Sequence, residues 1–261
     1  MSEAEGGRLD EVQAYYDNLA PRLVAVEDRN WHLQSRMSLI LDTIREYVPN
    51  VPPADGVPAP RVLDVGCGTG FLLERLAGLG FTGIGIDLSP ESVEHTRERL
   101  ARIGAADRLS AVVGSAYEPP EGPYDLVTLT DVLEHLEEPR ACLQAVRERL
   151  APGGLVVIST PNRHSLPGAR RWLSEHGASF IKVSLAPVDN WQTWDDLTGH
   201  AAAAGLVPVS RRGIFFRPGG RVGSQIGRLY RFSAPRRAER ALSRTPAGRF
   251  GFYICLGFRA L

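Results

Sequence analysis

Three glycines at alternate positions, Gly66, Gly68 and Gly70, follow the apolar run Val62-Leu63-Asp64-Val65, with the Asp64 carboxylate just ahead of them. Only glycine accepts the positive φ and the close backbone approach that such a turn demands, so a small molecule is expected to lie against the main chain there. The spacing is GxGxG, whereas the dinucleotide fingerprint is GxGxxG; NAD is therefore the weaker reading. About 20 residues further on, Ile84-Gly85-Ile86-Asp87 ends a second apolar run. Its carboxylate has the two acceptor oxygens needed for both hydroxyls of one ribose. Ser89 reads as an N-cap with Pro90 at the first helical position, which fixes the strand end at Asp87. A third cluster, Asp131, Glu134 and His135 in Thr130-Asp131-Val132-Leu133-Glu134-His135-Leu136, supplies two carboxylates and an imidazole suited to taking a proton.

Positioning these groups requires strands that end together. From residue 61 short apolar runs near 61–65, 82–86, 109–113, 124–130 and 154–159 alternate with helical patterns near 70–78, 90–103 and 139–150. That alternation implies a parallel sheet with helices on both faces and a ligand crevice at the strand C-termini. Ahead of it, residues 9–20 and 30–48 carry helical spacing, the latter through Leu33, Met37, Ile40, Leu41, Ile44 and Val48. The proline-rich run 51–60 reads as a linker. A further helix near 193–204, a strand at 206–210 and a β-rich run at 250–258 complete the plan. The expected organisation is an N-terminal helical cap over 1–50, the linker and a core over 61–261. Segments 162–190 and 213–248 are insertions in that core, the natural material for a lid and a substrate pocket.

The runs VLDVGCGTG at 62–70, GIGIDLS at 83–89, VVGSAY at 112–117, YDLVTLTDVLEHL at 124–136 and LAPGGLVVISTPN at 150–162 together resemble the class I S-adenosylmethionine-dependent methyltransferases. The resemblance implies a Rossmann-like, doubly wound seven-stranded α/β sheet whose last strand is antiparallel and inserted beside the sixth. It also implies S-adenosylmethionine as cofactor and S-adenosylhomocysteine as product. By the same resemblance Asp64, Gly66, Cys67, Gly68 and Gly70 meet the methionine portion, Asp87 the ribose and Leu88 the adenine face. Ser115 and Ala116 meet the adenine edge, although many relatives carry Asp where Ser115 stands. Asp131, Glu134 and His135 then lie beside the sulfonium, with His135 either taking a proton from the acceptor or only hydrogen-bonding the motif loop. Tyr15 and Tyr16 resemble N-terminal tyrosines that close over the cofactor, where an aromatic face favours a cation, or they simply pack the helix. Arg36 is a candidate partner for the cofactor carboxylate.

The Glu-His stretch is similar to that of ubiquinone-type small-molecule O-methyltransferases, some of which bind a divalent metal beside the acceptor. One imidazole and two carboxylates suit Mg²⁺, Mn²⁺ or Zn²⁺, but consecutive Glu134 and His135 need not converge, and no metal ligand is assigned. The acceptor is expected to meet Asn162, Arg163, His164, Trp172, Trp191, Phe215 and Phe216, aromatic walls with a few polar groups. The alternative is that the tryptophans only pack the insertions, the expected role of Trp194. Oxygen of a small organic molecule is the first choice of methylated atom, nitrogen the second.

Composition narrows the partners. The chain has 261 residues, 43% of them hydrophobic, enough for one substantial core. No run of about 18 apolar residues occurs, and the start Met1-Ser2-Glu3-Ala4-Glu5 lacks a basic stretch before an apolar one; a cytoplasmic protein is expected. Cys67, Cys142 and Cys255 lack metal or disulfide spacing, and Cys67 reads as a small filler. The net charge is zero, yet residues 211–261 hold twelve Arg against the single acid Glu239. Such a basic end attracts the acidic remainder, an anionic acceptor or an anionic lipid surface. With Ile226, Leu229, Tyr230 and Phe232 among Arg228 and Arg231, it allows a peripheral membrane enzyme with a lipid or prenyl-type acceptor. Nucleic acid is the lesser partner, because DVLEHL lacks the Asn/Asp-Pro-Pro-aromatic signature of base amino methylation. The non-enzyme alternative is a cofactor-binding protein without an acceptor.

Overall fold

The computed structural model describes residues 3–25, 31–48, 51, 53–175, 188–214 and 233–260. Its elements are α1 (Glu3–Val24), α2 (Trp31–Tyr47), β1 (Arg61–Val65), α3 (Phe71–Gly78), β2 (Thr82–Asp87), α4 (Pro90–Arg102), β3 (Leu109–Val113) and β4 (Tyr124–Thr130). A 3₁₀ turn (Leu133–His135) leads to α5 (Pro139–Glu148), β5 (Leu150–Pro161), α6 (Leu166–Glu175), α7 (Trp194–Ala203) and β6 (Leu206–Ile214). Last come α8 (Ser233–Ser243), a 3₁₀ turn (Pro246–Phe250) and β7 (Tyr253–Ala260).

The strands form one sheet in the order β3-β2-β1-β4-β5-β7-β6. Strands β1 to β5 pair in parallel, and β7 is antiparallel to both β5 and β6, the expected Rossmann-like arrangement. Central strands are covered on both faces, so β1 buries four consecutive residues instead of alternating. Edge strand β3 alternates from Leu109 to Val112 and then also leaves Val113 half exposed. The core divides into two clusters across the sheet: α2, α3 and α4 supply Ile40, Ile44, Leu76 and Leu100 to one face, and α5 and α7 supply Leu143, Val146 and Leu197 to the other.

Two differences from the sequence expectation have local causes. Residues 1–50 read as one cap, yet α2 is part of the core layer, with Ile40 and Ile44 fully buried, while α1 lies against α4. The β-rich run does not begin at 250. Pro246 opens a 3₁₀ turn that reaches Phe250, and it passes so close to β6 that a Cβ on Gly213 would stand 1.8 Å from the Gly248 carbonyl oxygen. Phe215, Phe216 and the segment from Ile226 to Phe232 lie outside the described residues.

Candidate functional site

The glycine loop between β1 and α3 takes the backbone form its residues require: φ is +68° at Gly66, +54° at Gly68 and +78° at Gly70, values that side chains rarely tolerate. The surroundings hold it there. Thr96 and Arg99, one turn apart on α4, donate to the Gly68 and Thr69 carbonyls at 2.7 and 2.8 Å. The Gly68 amide donates to Asp87 Oδ2 at 2.8 Å, and the Cys67 amide to the Ile86 carbonyl at 2.9 Å. A Cβ on Gly68 would meet nothing within 4 Å, so the loop presents open main chain. Fixed loop geometry limits the conformational cost of binding.

Asp87 ends β2 as expected, and its other oxygen accepts from the Ser89 amide at 3.0 Å. Ser89 caps α4 by accepting from Ser92 at 3.0 Å. Burial pushes the Asp87 carboxyl up from its ordinary value, against the pull of those two amides. Leu88, Ser115 and Ala116 are half-buried, and the Ser115 hydroxyl accepts from the Tyr117 amide at 3.2 Å. Cys67 is buried with its thiol pushed well up by desolvation, the behaviour of a filler.

Asp64 is 1% exposed. Oδ1 accepts from Thr128 on β4 at 2.6 Å, and among the described residues Oδ2 has no hydrogen-bond partner. Burial raises its pKa to about 7, with the Thr128 hydroxyl opposing. Because the folded value exceeds the ordinary one, its contribution to stability is present at pH below about 4 and is lost as pH rises through about 7. Asp64→Asn should therefore stabilise the chain at pH 8, by of the order of 2–4 kcal/mol, and hardly at pH 4. Urea denaturation at the two pH values, with no methyl donor added, checks this; an equal effect at both would show that Asp64 does not titrate as its burial demands.

At the end of β4 the chain turns sharply. Asp131 is the only non-glycine residue with positive φ, +58°, among the described residues. Its amide donates to the Ser159 carbonyl on β5 at 2.8 Å, and its carboxylate pairs with Arg36 of α2. Arg36 also stacks 5.0 Å from the Tyr253 ring centroid. Arg36, expected at the cofactor carboxylate, is thus tied to Asp131 at the rim of the sheet.

Glu134 is 1% exposed, and among the described residues neither carboxylate oxygen has a hydrogen-bond partner. Desolvation raises its pKa, opposed by His135, Thr160 and Arg36. The Thr160 hydroxyl lies near enough to matter electrostatically, but it donates to the Pro161 carbonyl at 3.4 Å. His135 Nδ1 stands 2.7 Å from the Val188 carbonyl oxygen. A carbonyl only accepts, so Nδ1 carries the hydrogen and Nε2 of the neutral ring is left with the lone pair. The edge of Tyr16 packs on this imidazole at 5.6 Å between centroids, with Tyr15 5.2 Å behind it. Burial, then Glu134, raises the Tyr16 phenol, which stays protonated. Asp17, a residue the sequence reading passed over, holds α1 in place by accepting from the Ser89 hydroxyl.

Asp131, Glu134 and His135 are assigned no metal, and the first and last of them are engaged in other contacts. Asp131 is paired with Arg36 and His135 Nδ1 with a carbonyl. No group of three His, Cys, Asp or Glu side chains among the described residues is placed to hold an ion.

The acceptor residues scatter. Asn162, expected at the acceptor, is fully buried. Its Nδ2 donates to the Arg249 and Gly251 carbonyls at 2.8 and 2.7 Å, and Oδ1 accepts from His164 at 3.0 Å. These bonds tie the end of β5 to the approach to β7. Asn162→Ala should cost about 2–4 kcal/mol by orphaning buried carbonyls, with acceptor KM unchanged in the folded enzyme; a raised KM at unaltered stability would restore the original role. Arg163 and His164 are exposed, and Arg163 pairs with Asp196 at 2.8 Å. Trp172 and Trp191 do share a cavity of about 400 Å³ with Leu136, Arg163, Arg171 and Asp189. There Trp191 donates to Asp189 at 2.9 Å and stacks 5.2 Å from Arg171.

Comparisons with known proteins agree with this architecture. A methyltransferase domain family matches residues 31–210. The ubiquinone biosynthesis O-methyltransferase of Bordetella bronchiseptica is 30% identical over 226 residues, covering 84% of this chain and 89% of that one. The protein of the same name in Cereibacter sphaeroides strain KD131 is 34% identical over 167 residues, 60% of this chain, and the chain spans only 64% of that relative's length. Magnesium protoporphyrin IX methyltransferase of Synechocystis PCC 6803, solved with bound S-adenosylhomocysteine, superposes with a TM-score of 0.58 at 15% identity over 88% of this chain and 85% of that one, a likeness of fold. On the match across residues 31–210 and on the sheet order just described, the chain belongs to the methyltransferase domain family, with the class I S-adenosylmethionine-dependent architecture.

Proposed function

We propose that the chain transfers a methyl group from S-adenosylmethionine to an oxygen of a small organic acceptor, with His135 Nε2 receiving the hydroxyl proton. The observation that carries this reading is the hydrogen bond from Nδ1 to the Val188 carbonyl, which leaves Nε2 as the basic nitrogen of the ring. The residues fit the cofactor: Gly68 offers open main chain, and the buried Asp64 and Glu134 carboxylates have acceptor atoms without partners among the described residues. Gly66 to Gly70 and the first turn of α3 would hold the methionine carboxylate, Asp64 the ammonium and Asp87 the ribose. When bound, S-adenosylmethionine supplies an electrophilic methyl carbon on a sulfonium.

This chain's own contribution is placement. Holding two partners in line contributes about 7–11 kcal/mol, and the face of α1 that carries Tyr16 covers His135. Carboxylates at Asp131 and Glu134 favour a cation beside them, while Arg36 and the Val188 carbonyl fix the loop. The cavity between Trp172 and Trp191 suits a flat or lipophilic acceptor, the guanidiniums of Arg163 and Arg171 being paired with Asp196 and with Glu175 and Asp189. Among the described residues no helix is long and apolar enough to cross a membrane.

Calorimetry with S-adenosylmethionine and S-adenosylhomocysteine, followed by mass spectrometry over a panel of phenols, enols, carboxylic acids and amines, tests the reading. Binding of both and a gain of one methyl group on a hydroxyl acceptor is expected. Absence of affinity for either cofactor form overturns the proposal, and methylation confined to amines moves it to nitrogen.

A further inference from the structure

Away from this crevice, a second cavity of about 530 Å³ opens between α2, α8 and β6, lined by Leu39, Asp42, Arg45, Glu46, Arg212, Arg240 and Arg244 among others. None of its lining residues belongs to the cofactor site. Its charges do not balance. Arg240 pairs with Asp42 at 3.0 Å, and that pair is closed. Arg212 and Arg244 instead converge on a single oxygen, Glu46 Oε2, at 2.5 and 2.8 Å. One carboxylate thus faces two guanidiniums. Arg45 meets no carboxylate among the described residues, so four cations stand against two anions. Glu239, the acid next to Arg240, does not line the cavity.

The arrangement differs from a helix merely pinned down by ion pairs. The Arg212 side chain is 4% exposed and braced by its Nε donating to Ser210 at 3.2 Å, so a fixed guanidinium forms the floor. Arg240 and Arg244 are more than half exposed and stand at the rim. A buried cation is costly unless fully compensated, and sharing Glu46 compensates it only in part. Planar guanidiniums with several donors are the side chains best matched to phosphate oxygens. A dianion would neutralise the excess.

We propose that this cavity is a second ligand site, for a phosphate- or diphosphate-bearing molecule, either a soluble phosphorylated compound or a phospholipid headgroup. The site assigns a use to part of the basic C-terminal fifth that is independent of methyl transfer. It predicts preference for multivalent phosphate over a monovalent anion of equal ionic strength.

The test titrates the full chain with inorganic pyrophosphate and, separately, with acetate by calorimetry at constant ionic strength, in wild type, Arg45→Gln and Arg244→Gln. Pyrophosphate is expected to bind at least about tenfold tighter than acetate, and each variant to weaken it about fivefold or more. Methyl-donor affinity, expected unchanged, reports that the variants are folded. Arg45→Gln removes no ion pair among the described residues. Co-sedimentation with phosphatidylglycerol and phosphatidylcholine vesicles separates the sources. Retention by the former that pyrophosphate competes away supports a headgroup; pyrophosphate binding without retention supports a soluble ligand. Equal weak binding of both anions, or pyrophosphate affinity unchanged in Arg45→Gln and Arg244→Gln, overturns the site.

Discussion

His135→Asn is expected to lower kcat by roughly 10²–10⁴-fold, the usual contribution of a general base, while leaving the dissociation constant for S-adenosylhomocysteine within about twofold. Asn is the informative replacement because its side-chain amide can reproduce the donation from Nδ1 to the Val188 carbonyl, 2.7 Å in the parent. The bracing role of the residue is then kept and only the basic Nε2 is lost. Tyr16 packs on the ring by its edge, so a smaller side chain leaves space that costs some order in α1; the binding measurement detects that. A kcat within about threefold of wild type, with binding intact, would show that His135 positions the loop and takes no proton. Weakened cofactor binding at unchanged kcat would place it among the binding residues instead.

The sequence makes some parts of this site legible and hides others for physical reasons. Gly66, Gly68 and Gly70 announce their conformation because positive φ is a local property, and all three adopt it. Asp87 could be placed because Ser89 and Pro90 mark a helix start that fixes the strand end, and the cap forms. Alternation of strand and helix points to the parallel sheet, since parallel crossovers are usually made by a helix, although β3 passes to β4 without one. The contacts between distant segments carry no such local mark. Asp17 reaches Ser89 across 72 residues and Arg36 reaches Asp131 across 95. Asn162 looked like a pocket residue because it follows a strand C-terminus, yet the tight turn at Pro246–Phe250 brings the Arg249 and Gly251 carbonyls onto it. Nor does any spacing reveal that Val188 would decide the His135 tautomer.

Asp87→Asn should weaken S-adenosylmethionine binding by about 30- to 1,000-fold, that is roughly 2–4 kcal/mol, although it changes one atom. Both carboxylate oxygens accept main-chain amides, Oδ1 from Ser89 and Oδ2 from Gly68. An amide side chain has one acceptor and one donor. Either rotamer therefore sets an NH₂ against a backbone N–H, and the group must turn away from the glycine loop or from the α4 cap. The first disturbs the main chain expected to hold the methionine portion, the second the end of β2, and both withdraw an acceptor from the ribose hydroxyls. Calorimetry measures the loss directly, and the melting temperature separates it from general destabilisation. Because burial already raises the Asp87 carboxyl, acidification should act like the substitution and weaken binding in wild type before it unfolds the chain. Asp87→Asn should lack the part of that pH dependence that comes from this carboxyl. Cofactor affinity unaffected by Asp87→Asn would mean that the ribose lies elsewhere, and the glycine loop would then have to hold its ligand without the strand beside it.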